Sequence, residues 1–140
     1  ASLFAVCCPL GDRLCDHAVG LADGLWVGPQ QLDLTGLYKR LTDYALTRPK
    51  SLIVLRVNLD VPSWWRALYP NELRLTPDGR RLNQSASSLV WRHEAGGELV
   101  RLIELMAQGP FERHIIAYQL CIGPSAHGAW TSAVDYSVPA

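Results

Sequence analysis

Apolar residues run in three short blocks: Leu3 to Cys8 (LFAVCC), which is continuous, Leu52 to Leu59 (LIVLRVNL), interrupted by Arg56 and Asn58, and Ile115 to Ile122 (IIAYQLCI). Blocks of this length, apolar at odd and even positions alike, suit strands buried on both faces. Between them the pattern changes to a helical period. Asp33 is placed to cap a helix running to Thr47, with Leu34, Leu37, Leu41, Tyr44 and Ala45 on one face and Arg48-Pro49 closing it. Ser85 to Gln108 also reads as helical, in two pieces broken at Gly96 and Gly97. Leu99, Leu102, Ile103, Leu105 and Met106 form its expected buried face, and Gly109-Pro110 stop it. Strand, helix, strand, helix, strand, with strands apolar on both sides, predicts an α/β fold with a parallel sheet and right-handed crossovers.

Loop lengths are unequal. The helix-to-strand connections, Arg48 to Ser51 and Gly109 to His114, are short. The strand-to-helix connections, Pro9 to Leu32, Asp60 to Gln84 and Gly123 onward, are long. The long loops therefore gather at the C-terminal ends of the strands, the face that carries the site in barrels and doubly wound sheets. Asp135-Tyr136-Ser137-Val138-Pro139 has the Asp or Ser, then Pro, of a helix start. Three strands also leave both sheet edges unpaired. The expectation is that residues 1–140 are one piece of a larger parallel α/β domain. A small stand-alone α/β domain is the alternative.

Composition narrows the classes. The formal net charge is zero and no basic run occurs, so no nucleic-acid partner is expected. No apolar run approaches the roughly 18 residues of a membrane span, so no membrane partner is expected either. Cys7, Cys8, Cys15 and Cys121 match no zinc spacing and make no C-x-x-C pair. They are expected to be buried free thiols. His17 has no second ligand at metal spacing, so neither a metal nor a cofactor is expected.

The candidate chemistry lies in the long loops. Four of the five tryptophans fall there: Trp26, Trp64, Trp65 and Trp130, with Trp91 left to a helix core. Flat aromatic faces stack on the C–H faces of sugar rings, while carboxylates and amides take the hydroxyls. Tryptophan in a long loop also fills satellite cores, the reading favoured for Trp26. Trp64 and Trp65 stand open between the two roles. The polar candidates are Asp60, Gln119 and His127. Asp60 is either a hydroxyl ligand or orienting carboxylate, or else the partner of Arg56 or a loop cap. Arg56 and Gln119 interrupt buried strands, which is costly unless each is paired or reaches the site. His127 is either a site residue or a surface imidazole. Gly123 to Gly128 (GPSAHG) misses the G-x-S-x-G elbow by one position, and no phosphate-binding glycine motif occurs.

Arg56 to Trp65 (RVNLDVPSWW), followed by Tyr69-Pro70-Asn71-Glu72-Leu73, resembles a segment of barrel glycoside hydrolases related to the family 42 β-galactosidases. Trp26-Val27-Gly28-Pro29 with Leu32-Asp33-Leu34, Ile115 to Leu120 (IIAYQL), and Asp135 to Pro139 (DYSVP) are similar to further segments of that family, in the same order. The resemblance implies a partial (β/α)8 TIM barrel holding about strands two to four of eight. It implies a carbohydrate partner, the rest of the parent barrel as a structural partner, and Asp60, Trp64, Trp65, Gln119, His127 and Trp130 as substrate-binding positions. Such enzymes use two carboxylates, the acid/base at the fourth strand and the nucleophile at the seventh. Where relatives read Gly-Glu-Trp, this chain reads Gly128-Ala129-Trp130. Ala129 removes that carboxylate, so a non-catalytic carbohydrate-binding or degenerate barrel is the second expectation. Glu72, Glu94 and Glu98 are the nearest spare carboxylates; Glu72 lies on a site-face loop and could substitute, and Glu98 is expected on a helix outside the barrel.

Overall fold

The computed structural model describes residues 3–11, 24–122 and 137–139. Its centre is a parallel sheet of three strands: β1 (Leu3–Pro9), β4 (Leu52–Asn58) and β7 (Ile115–Cys121), in the order β1-β4-β7. These are the three apolar blocks, and the α/β class with a parallel sheet is established. Strand β4 is central. It pairs from Leu3↔Leu52 to Pro9↔Asn58 on one side, and from Ile53↔Ile115 to Asn58↔Cys121 on the other.

This register sorts residues onto two faces. Val6 and Cys8 share a face with Ile53, Leu55 and Val57, all buried. That face packs into one core with Leu37 and Leu41 of α1 (Thr35–Thr47) and Leu102 and Met106 of α3 (Leu89–Gln108). The opposite face holds Ala5, Val54, Arg56, Ala117 and Gln119; Ala5, Ala117 and Gln119 are exposed. Arg56 and Gln119 are adjacent across the ladder, and the Arg56 guanidinium donates to the Gln119 amide oxygen at 2.9 Å. The two polar interruptions in the strands thus satisfy one another. Arg56 turns to Gln119 rather than to Asp60.

Helix α1 starts one residue later than expected. Leu34 occupies the cap position, and Asp33 accepts the Thr35 N–H at 3.0 Å. Hydrogen bonding from the Thr35 side chain, then from its backbone N–H, holds the Asp33 carboxyl below its usual range. Helix α3 runs unbroken through Gly96 and Gly97. Two interior glycines cost about 2 kcal/mol relative to alanine, less than burying Trp91, Ala95, Leu102 and Met106 recovers. Its buried face is also rotated from the expected one: Glu98 lies in it, and Leu105 is exposed. Ser88 caps the helix, its hydroxyl accepting the Trp91 N–H at 3.1 Å.

The long connections contain structure that hydrophobic periodicity does not signal. A hairpin of β2 (Trp26–Gly28) and β3 (Gln31–Leu32) turns at Pro29-Gln30, with Gln30 at φ 54°. Helix α2 (Ser63–Leu68) follows β4, then a 3₁₀ turn (Pro70–Glu72) and a second hairpin, β5 (Leu73–Leu75) with β6 (Arg81–Gln84). Hydrogen bonds extend beyond the strand ends: Leu10 N–H to the Asn58 carbonyl, Leu59 N–H to Cys121, and Leu25 N–H to Pro9, each 2.9 Å.

The cysteines divide. Cys8 and Cys121 are free and buried, as expected. Cys7 is disulfide-bonded, which corrects the expectation of free thiols. Burial pushes the Cys8 thiol up to about 12.

Candidate functional site

The sequence candidates among the described residues do not converge on one place. Asp60 is 2 % exposed and sits just past the end of β4. Its carboxylate accepts from the Gln84 amide at 3.0 Å, and Gln84 in turn accepts the Val61 N–H at 3.1 Å. The Asn58 side chain accepts the Asp60 N–H at 2.8 Å. These bonds tie β6 to the end of β4, so Asp60 serves as a loop clamp. Trp65 is 0 % exposed, and its ring lies 4.8 Å from that of Tyr69. It presents no free face for a sugar. Gln119 lies on the open sheet face, paired with Arg56. His127, Ala129 and Trp130 lie outside the described residues.

Trp64 differs. It is half-buried, stands edge-on to Trp26 at 5.2 Å, and its indole N–H donates to the Trp26 carbonyl at 2.9 Å. Both rings line a cavity of about 500 Å³ between α2, the β2–β3 hairpin and α3. That volume falls in the range of small-molecule sites. One wall is apolar and aromatic: Trp26, Pro29, Trp64, Leu68 and Tyr69. The other is a strip along α3: His93, Glu94, Gly97, Glu98 and Arg101. Positions 94, 97, 98 and 101 recur at three- and four-residue spacing, so they share one helix face.

Two carboxylates face this cavity under different constraints. Glu94 accepts from the Trp65 indole N–H at 2.6 Å and from the Tyr69 hydroxyl at 2.8 Å. This bond, which favours the protonated phenol, raises the Tyr69 pKa. Glu98 is 4 % exposed, and both of its oxygens accept from one guanidinium nitrogen of Arg101, at 3.2 and 3.0 Å. Loss of solvent raises the Glu98 pKa above its ordinary 4.5, against the pull of Arg101 and with a smaller push from Glu94.

A raised carboxyl pKa means the folded state holds its proton more tightly than the unfolded chain. Stability is therefore expected to fall as pH rises from about 4.5 through the folded pKa of Glu98, and then to level off. Urea midpoints measured between pH 4.5 and 7 check this. Glu98→Gln, which keeps the shape without the charge, is expected to flatten that slope; an unchanged slope would assign it to other groups.

No family model matches this chain, and no curated protein matches it.

Glu94 and Glu98 are visible in the sequence as spare carboxylates. The signal that groups them is the spacing Glu94, Gly97, Glu98, Arg101, which reads polar and so hides a half-buried face. Among the described residues no group of three or more His, Cys, Asp or Glu is placed to hold a metal ion. No described helix is long and apolar enough to cross a membrane.

Proposed function

We propose that this chain contributes three successive strands, with the helices that follow the first two, to a (β/α)8 barrel of the glycoside-hydrolase type, resembling the family 42 β-galactosidases and taking β-linked carbohydrate at the C-terminal ends of β1, β4 and β7. The observation that carries the reading is the sheet. Parallel strands follow one another in chain order, as they do around a barrel. One face lies under helices; the other carries small side chains and the Arg56–Gln119 pair, a composition suited to a barrel interior. On this reading His127 and Trp130, together with Gln119 at the edge, remain the substrate-binding candidates. Asp60 and Trp65 instead hold the loops that frame the site.

The catalytic part of the proposal turns on Ala129. A methyl group cannot protonate a leaving glycosidic oxygen, so the parent is a slow hydrolase or a binder. The test is hydrolysis of an aryl β-galactoside by the intact parent polypeptide, with and without Ala129→Glu. Turnover that rises with the restored carboxylate supports a glycosidase barrel that has lost its acid. Carbohydrate binding with no turnover in either form supports the non-catalytic reading. Turnover by residues 1–140 alone would refute the two-carboxylate division, because the seventh-strand nucleophile lies outside them.

A further inference from the structure

We infer that the cavity between α2, α3 and the β2–β3 hairpin is a binding site for a neutral polyhydroxylated ring, a small saccharide, and that Gly97 keeps it open. The inference does not rest on the barrel reading, since every wall residue belongs to this chain.

Gly97 is the first argument. It sits in the middle of a 20-residue helix, where glycine is the least favourable residue short of proline. Glycine there is usually explained by another element pressing close. Here a Cβ at Gly97 would meet nothing within 4 Å, and its φ is not in the left-handed region. Neither packing nor backbone geometry requires glycine. The space a side chain would enter is the cavity itself.

The walls select the ligand. The half-buried rings of Trp64 and Tyr69 offer an apolar platform. Opposite them, the carboxylates of the strip are already engaged as hydrogen-bond acceptors. Glu98 is paired with Arg101, and Glu94 already holds the Trp65 and Tyr69 donors. The Arg101 guanidinium, its side chain 42 % exposed, opposes a cation. Glu94 and Glu98 oppose an anion. What the strip offers is acceptor lone pairs beside guanidinium donors. Trp26 also lines the cavity, and its buried indole N–H has no acceptor among the described residues. A ring that is apolar on its faces and hydroxylated at its rim answers both walls.

The test is saturation-transfer NMR with methyl β-glycosides of galactose, glucose and xylose, and with tetramethylammonium as the cationic probe. Three proteins are compared: the wild-type chain, Gly97→Leu and Gly96→Leu. Gly96 also has open space at its Cβ but does not line the cavity, so it controls for the helix. Both variants are expected to fold, with the thermal midpoint unchanged or raised by about 3 °C. A glycoside is expected to bind the wild type and Gly96→Leu, and to lose about tenfold or more in affinity on Gly97→Leu. The proposal is overturned if no glycoside binds, if Gly97→Leu leaves binding intact, or if only tetramethylammonium binds and Gly97→Leu abolishes it.

Discussion

Trp65→Ala is expected to lose about 3–5 kcal/mol of folding stability, a third or more of what a domain of this size holds. The ring is wholly enclosed and packs against Tyr69. It also belongs to α2, a helix of only six residues that cannot persist without tertiary contacts. Truncation removes that contact and the 2.6 Å donor to Glu94 together. The carboxylate is then left to Tyr69 alone. Trp65→Phe keeps most of the buried area and is expected to cost about 1–3 kcal/mol, the loss of a hydrogen bond to a charged acceptor. Urea melts followed by near-ultraviolet circular dichroism separate the two. A loss below about 1 kcal/mol for the alanine variant would contradict a core role and return Trp65 to the candidate binding surface.

Gly11→Ala is expected to cost about 3 kcal/mol or more, although it adds a single methyl group. The added carbon would overlap the Asp60 carbonyl oxygen and lie 2.8 Å from the Val61 carbonyl carbon and oxygen. All of these are backbone atoms, so no rotamer change relieves the overlap. Nor is the local chain free to shift. Leu10 is pinned to Asn58, and Trp26 to Leu10, by hydrogen bonds of 2.9 and 3.0 Å. The same substitution at Gly96, where nothing lies within 4 Å, is expected to stabilise by about 1 kcal/mol. Equilibrium unfolding of both variants tests the contrast, and equal effects would refute the close approach at the sheet end.

The strands and α1 were legible because their signal is local. An unbroken apolar block such as Leu52 to Leu55 has few alternatives to a buried strand, and Leu34, Leu37 and Leu41 repeat at a helical period. Helix α2 has six residues, and the strands of the two hairpins have two to four each. Their stability comes from partners distant in sequence, as with Gln84 reaching Asp60 across 24 residues. No window of neighbouring residues contains that information. In α3 the expected buried face, read from apolar residues alone, left out Glu98, whereas an ion pair with Arg101 lets that carboxylate lie buried in it. The candidate site was legible by residue type more than by position. Tryptophans and carboxylates singled out by type do line a cavity, but only Trp64 of the proposed platform pair faces it. The cavity's second wall comes from a helix face that hydropathy alone reads as solvent.

The neighbours Cys7 and Cys8 give β1 a property that packing alone would not. Adjacent residues on a strand point to opposite sides, so one sulfur is committed to a covalent bond while the next is sealed under the helices. A slide of β1 by one residue along β4 would exchange the two thiols and bring every apolar side chain of the strand to the wrong face. The cross-link therefore records the alignment of the sheet. Peptide mapping that finds Cys7 oxidised and Cys8 reduced would read out, as a chemical fingerprint, that the first strand had docked in step with the second.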